Sequence, residues 1–278
     1  MGHHFVPQYY LRGFESNGGI WAHDKQASRS FATQIRVVAN ENKLYSEEVE
    51  AHFNTKIEVP ANQSLRKIRG HLPLSDQERY ALAKYIWVLW KRVPKARDRA
   101  MSKIPEVAKE LGIQIHSELD AFLETMPHLS DDVAQFKARV SKAIDGHISN
   151  PSTSLWYESI DSGSAHYSVN ALLSMNWVFL YHDELQFLTS DNPVFFFEFE
   201  GIASPESELT FPITSKITLW VTKTPQPSGS FVRASNAAVK EINRRTASNS
   251  VRWVYSERHE QWILPFVTKD EWPLTRLR

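Results

Sequence analysis

The apolar residues of this chain change their period partway along it. Between Ser46 and Asn150 they recur at helical spacing, whereas from Trp177 to Tyr255 they come in short runs of β-branched and aromatic residues. A stripe of period 3.6 cannot serve as a strand face of period 2, so the change predicts helices first and sheet afterwards. Ser46 caps a helix that begins Glu47-Glu48-Val49-Glu50, with Val49, Phe53 and Ile57 spaced four apart. Pro60 is expected to end or kink it, with a further helical segment from Ala61 to Arg69. Ser75-Asp76-Gln77-Glu78 fits a capping box ahead of a stripe of Leu82, Ile86, Leu89 and Val93, flanked by Tyr85 and Trp90. Pro94 should stop or kink that helix. Two or three further helices are expected between 101 and 150, before a turn at Asn150-Pro151-Ser152.

Strands are expected at Ile20–Lys25 running into a turn, within Arg29–Val38, and at Lys43-Leu44-Tyr45. The later runs are Trp177–Tyr181, Leu185–Thr189, Val194–Phe199, Ile217–Val221 and Val251–Tyr255, with one helix, Asn236–Arg245, before the last. The fold class that follows is α+β: a small N-terminal β element, a helical middle, and a β-rich C-terminal third with a mixed or antiparallel sheet. Residues 1–278 are read as a single large domain carrying a helical insertion or lid at 101–165.

Composition removes several functions. There is no cysteine, so disulfides, iron–sulfur clusters, thiolate zinc sites and a cysteine nucleophile are excluded. Lys+Arg and Asp+Glu balance at 32 each, so global charge points to neither nucleic acid nor membrane. No apolar run reaches membrane-spanning length and no signal-peptide plan opens the chain, so a cytoplasmic location is expected. A Gly-rich phosphate loop, a GxSxG elbow, HExxH and a dinucleotide fingerprint are all missing, which argues against a kinase, serine hydrolase, zincin or nicotinamide enzyme. No haem is expected.

The N-terminus is unusually aromatic and titratable: His3-His4-Phe5-Val6-Pro7-Gln8-Tyr9-Tyr10-Leu11-Arg12-Gly13-Phe14. A short helix is expected within residues 5–14, with Pro7 in its first turn and Phe5, Tyr10, Leu11 and Phe14 forming a face that docks on the core. The stretch from His4 to Phe14 resembles the opening of a bacterial family of unknown function, DUF4238. That family is similar in four further places: the strand ending Asp24-Lys25, the acidic helix with Glu50 and Ile57-Glu58, the helix ending Arg92-Val93-Pro94, and the tract Thr189-Ser190-Asp191-Asn192-Pro193-Val194. Here Trp90-Lys91 precede Arg92, a small departure. The resemblance implies a mainly bacterial, cytoplasmic protein, with mobile-element or defence settings, and no settled activity. HHFVP is also similar, more weakly, to the first strand of His-Asn-His nucleases. Asn40 and Asn42 follow, but the next histidine of metal-ligand type is His52.

Each candidate residue has two readings. His4 is a general base or ligand, or a histidine tying the terminus to backbone; His3 is expected in solvent. Asp24 is a metal carboxylate at a strand end, beside Lys25 as a binding cation, or a turn aspartate. Glu58 is a catalytic or metal-holding carboxylate, about two helical turns from Glu50 and so able to share a face with it, Glu47 and Asn54, or solvated charge. Arg92 stabilises developing phosphate charge, with Arg12, Lys95 and Arg97 as further binding cations, or these side chains complement helix ends. Asp191 is a catalytic or metal carboxylate next to a binding residue, Asn192, or both form a turn. The expected function is a nucleic-acid phosphodiesterase of toxin or defence type, using Mg²⁺ or Mn²⁺ and acting on RNA or DNA. The alternative is a non-catalytic module that binds nucleic acid, nucleotide or protein.

Overall fold

The computed structural model describes residues 2–42, 44, 46–150, 152–160, 164–197, 201–202, 204–269 and 271–277. They fall in two units: residues 1–93 with 161–278, and residues 94–160.

In the first unit, β1 (Gly2–His4) pairs antiparallel with β4 (Asn40–Asn42), setting His3 opposite Glu41 and His4 opposite Asn40. Helix α1 (Gln8–Leu11) starts after Pro7 and runs into a 3₁₀ turn, Arg12–Phe14. The apolar face expected here is buried: Phe5, Val6, Tyr10, Leu11 and Phe14. The Tyr10 hydroxyl donates to Pro212 O (2.7 Å), lies 2.6 Å from Thr189 Oγ1, and its ring stacks on Phe211 at 5.0 Å. Gly13 permits the closest approach, since a Cβ there would lie 2.3 Å from Ile213 O.

Strands β2 (Ile20–Asp24) and β3 (Arg29–Thr33) form a hairpin that joins β11 (Trp253–Ser256) and β6 (Thr189–Ser190) in an antiparallel sheet of order β3-β2-β11-β6. A second sheet has the order β10-β5-β9-β8-β7. It comprises β10 (Ser230–Arg233), β5 (Asn176–Tyr181), β9 (Ile217–Thr222), β8 (Glu208–Pro212) and β7 (Phe195–Phe196), antiparallel except for β10 beside β5. Helix α9 (Asn236–Asn249) lies against both sheets: Val239 and Ile242 pack with Val178, Leu180 and Trp220, and Ala247 packs with Val254. Thus the fold is α+β with a mixed sheet, as the pattern predicts.

The helical part departs from expectation at Pro60. Helix α2 (Glu47–His52), capped by Ser46, passes through a π turn at Phe53–Glu58 straight into α3 (Val59–Arg69). Proline lacks the N–H that bonds four residues back, and the π turn has already abandoned that pattern, so the chain continues. Helix α4 (Asp76–Arg92) has the expected capping box and stops at Val93. A last pair, α8 (Ser164–Leu173) and α10 (Ile263–Val267), has no clear apolar stripe in the sequence. The run Leu185–Thr189 supplies only Thr189 to a strand, because Phe187 N–H bonds Ser215 O and Leu188 N–H bonds the Asn243 side chain instead of a ladder. The third early strand is Asn40–Asn42; Lys43 and Tyr45 lie outside the described residues, as do Glu198, Phe199 and Pro151.

The second unit is a helical hairpin. α5 (Pro94–Thr125) and α6 (Ser130–Ser149) are joined by a 3₁₀ turn, Pro127–Leu129, and followed by α7 (Thr153–Glu158). Lys137 pairs with Asp120 at 2.5 Å and Ser141 Oγ lies 3.3 Å from His116 Nε2. A Cβ on Gly112 would sit 2.5 Å from Ile144 Cδ1, so the two helices meet closely at that glycine. No helix among the described residues is long and apolar enough to cross a membrane.

Candidate active site

Strand β1, the α2–α3 helix and the end of α4 bring together His3, His4, Glu47, Glu50, Glu58 and Arg92. The π turn sets this register. Eight purely α-helical residues would leave Glu58 about 80° around the helix from Glu50. One π turn takes up about one extra residue and brings the two carboxylates back to one face. Both then feel the same guanidinium: Arg92 Nη1 pairs with Glu58 Oε1 at 2.7 Å and attracts the Glu50 carboxylate.

Arg92 is 1% exposed. Its Nε donates to Phe5 O (3.0 Å) and its Nη2 to His4 O (3.1 Å). It therefore bonds the terminal segment and Glu58, which corrects the expectation of an Arg92 that meets phosphate directly. His3 is buried rather than in solvent, because its place in β1 turns it inward, and its Nε2 lies 3.5 Å from Glu47 Oε1. His4 Nε2 lies 3.3 Å from Arg36 O. A carbonyl only accepts, so Nε2 carries the proton and Nδ1 holds the lone pair. Burial lowers the His4 pKa, the hydrogen bond to Arg36 O opposes it, Arg92 lowers it further and Glu58 raises it, with burial the largest influence. Burial raises the Glu50 pKa, helped by Glu58 and Glu47 and opposed by Arg92 and His3. Glu50 Oε2 is buried and, among the described residues, has no hydrogen-bond partner. The Tyr85 hydroxyl, also buried and without a hydrogen-bond partner among the described residues, completes the set; burial pushes its pKa up, and Glu58 reinforces this.

The other sequence candidates lie elsewhere. Asp24 takes a bidentate bond from Arg252 (3.1 and 2.7 Å), and its Oδ1 also accepts the N–H groups of Gln26 and Ala27 at 3.1 Å each. Arg252 holds its carboxyl below the usual value. Asp191 accepts the N–H groups of Val251, Arg252 and Trp253 at 2.8–2.9 Å, while burial outweighs these donors and raises its pKa. Lys25 Nζ bonds Ala247 O (2.8 Å) and Ser250 O (3.2 Å). Asn192 Nδ2 donates to Asn249 O, and Asn249 Nδ2 returns a bond to Asn192 O. These four residues meet around the start of β11 and hold backbone there.

Arg12 is exposed at the start of its 3₁₀ turn. Lys95 and Arg97 are half-buried on α5 in the second unit, with Arg97 Nε 3.4 Å from Asp98. The metal set expected from the sequence, Asp24, Glu58 and Asp191, is not assembled. Among the described residues no three His, Cys, Asp or Glu side chains are grouped to hold a metal ion. The signals missed in sequence were His3, hidden by its terminal position, and Tyr85, which reads as ordinary core.

With this geometry in hand, comparison with known families gives one match. The chain belongs to the family described as protein of unknown function DUF4238, whose model covers residues 2–260 of the 278. Curated proteins and solved structures gave no match.

Proposed function

We propose that this chain is a metal-independent phosphodiesterase acting on RNA, with His4 as base and Glu50 as acid. The observation that carries the reading is the pairing of opposite shifts around one Arg92–Glu58 ion pair. The His4 imidazole is shifted toward its neutral form, with a lone pair on Nδ1, and the Glu50 carboxyl toward its protonated form, with one oxygen that has no hydrogen-bond partner among the described residues. Groups whose environments push their pKa values apart are suited to acid and base roles.

RNA is the substrate class because it carries its own nucleophile. His4 Nδ1 takes the 2′-hydroxyl proton, the 2′-oxygen attacks the adjacent phosphorus, and the bond to the 5′-oxygen breaks as Glu50 protonates that oxygen. The products are a 2′,3′-cyclic phosphate and a 5′-hydroxyl. No metal enters these steps. Pairing of Glu58 with Arg92, and the protonated form of Glu50, limit repulsion of the substrate phosphate. Arg92 and Glu58 are positioning residues here, fixing the backbone of His4 and the helix face of Glu50.

The pH dependence follows from the signs. The base works above the lowered His4 pKa and the acid works below the raised Glu50 pKa, so kcat/KM should follow a bell-shaped pH profile whose acid limb lies below 6.5, the ordinary histidine value. End-labelled RNA incubated with chelator should be cut, whereas DNA should not. His4→Ala and Glu50→Gln should each lower the rate by about 10²–10⁴-fold with folding intact. Tight, salt-dependent RNA binding without cleavage would favour a binding module instead.

A further inference from the structure

A pocket of about 430 Å³ opens beside α9, formed by none of the residues considered above as site candidates. Positions 236, 239, 240 and 243 share one face of that helix and all four line the pocket. Leu185, Val239, Trp262 and Phe266 make its apolar wall, with the two aromatic rings edge to face at 5.4 Å. The amides at its floor are already satisfied. Asn243 Oδ1 accepts Leu188 N–H (2.9 Å) and its Nδ2 donates to Gln186 O (3.0 Å). Gln186 Nε2 donates to Arg258 O (3.0 Å) and to Glu260, and its Oε1 accepts Arg258 N–H (3.1 Å). These groups are turned to the protein's own backbone and side chains, and the rest of the wall is aliphatic and aromatic, so a ligand body resting here is apolar.

The rim is different. His182 Nδ1 accepts the N–H groups of Glu184 (3.2 Å) and Leu185 (2.9 Å), so it is the unprotonated nitrogen. The proton is on Nε2, which donates to Asn236 Oδ1 at 3.0 Å. This orients the amide, and among the described residues the two donors of Asn236 Nδ2 have no acceptor. One turn on, Lys240 is exposed and, among the described residues, makes no ion pair. The carboxylate at the pocket edge, Glu260, is already paired with Arg258 at 3.6 Å and accepts Trp262 Nε1–H at 2.6 Å.

We propose that this pocket binds a small apolar monocarboxylate, alkyl or aryl, with its body against Leu185, Val239, Trp262 and Phe266 and its carboxylate held by Lys240 Nζ and Asn236 Nδ2. One cation and one amide suit a single anionic head; a polyphosphate would find no further donors on the satisfied floor.

The test is calorimetric titration of the full-length protein with decanoate and with 2-naphthoate, with decanol and decylammonium as controls. At least one carboxylate should bind at one equivalent and quench tryptophan fluorescence, a response lost in Trp262→Phe. Lys240→Gln, a surface change that leaves the fold intact, should weaken binding by roughly tenfold or more, and Lys240→Glu further. The alkyl and aryl arms decide which body the wall prefers. The proposal is overturned if neither carboxylate binds, if decylammonium binds as tightly as decanoate, or if Lys240→Gln leaves the affinity unchanged.

Discussion

Single side chains carry the sharpest consequences. Arg92 is buried and joins Glu58 to the carbonyls of His4 and Phe5. Replacing it with methionine leaves a carboxylate and two carbonyls without their donor, and should cost about 3–5 kcal/mol in urea unfolding. His23 gives a pH signature of its own. Its nitrogens lie 2.8 Å from Ser30 Oγ and Ser256 Oγ, and burial, followed by His259, pulls its pKa from 6.5 to about 4. The unfolded chain therefore binds a proton that the folded chain refuses between those values. The His23 contribution to stability should be constant above 6.5 and fall by up to about 3 kcal/mol as pH drops toward 4, and His23→Gln should remove that part of the slope. At this scale the sequence was informative about identity and poor about role. His4, Glu58 and Arg92 do meet, yet their motif residues do not say that the guanidinium faces backbone. Asp24 and Asp191 read as metal carboxylates, because nothing in a sequence shows three amide N–H groups or a bidentate arginine arriving from residues 251–253.

Elements were legible wherever the local signal was strong. The α4 capping box, the Ser46 cap and the apolar and aromatic run Trp177–Tyr181 all formed as read. The Ser75 hydroxyl accepts Glu78 N–H at 3.3 Å, so Ser75→Ala should lower the melting free energy by about 1 kcal/mol, measured by chemical denaturation. Elements set by distant partners were not legible. The two-turn spacing of Glu50 and Glu58 suggests a shared face, but the π turn at Phe53–Glu58 that sets their register has no composition mark. Likewise β6 and β7 are two residues each and exist because β11 and β8 lie beside them. In the helical hairpin, Gly112→Val should clash with Ile144 and reduce the thermal stability of that unit, whereas the same change at Gly146, where a Cβ meets nothing within 4 Å, should do far less.

For the molecule as a whole, the change in apolar period correctly predicts an α+β fold, while the pairing of N-terminal strands β2 and β3 with β11 and β6 emerges only in three dimensions. Residues 94–160 contact one another as a unit, so a fragment of those residues should give a helical circular dichroism spectrum by itself. The docked terminus, held by Tyr10 and Arg92, is what gives His4 a fixed place opposite Asn40. The central claim is that this place is a catalytic one. It is tested most directly by following labelled RNA with the full-length protein in chelator, beside His4→Ala and Glu50→Gln proteins of matched circular dichroism. Cleavage to a 2′,3′-cyclic phosphate is expected, reduced at least about 10²-fold by each substitution. Intact RNA, or cleavage that both variants preserve, would contradict it.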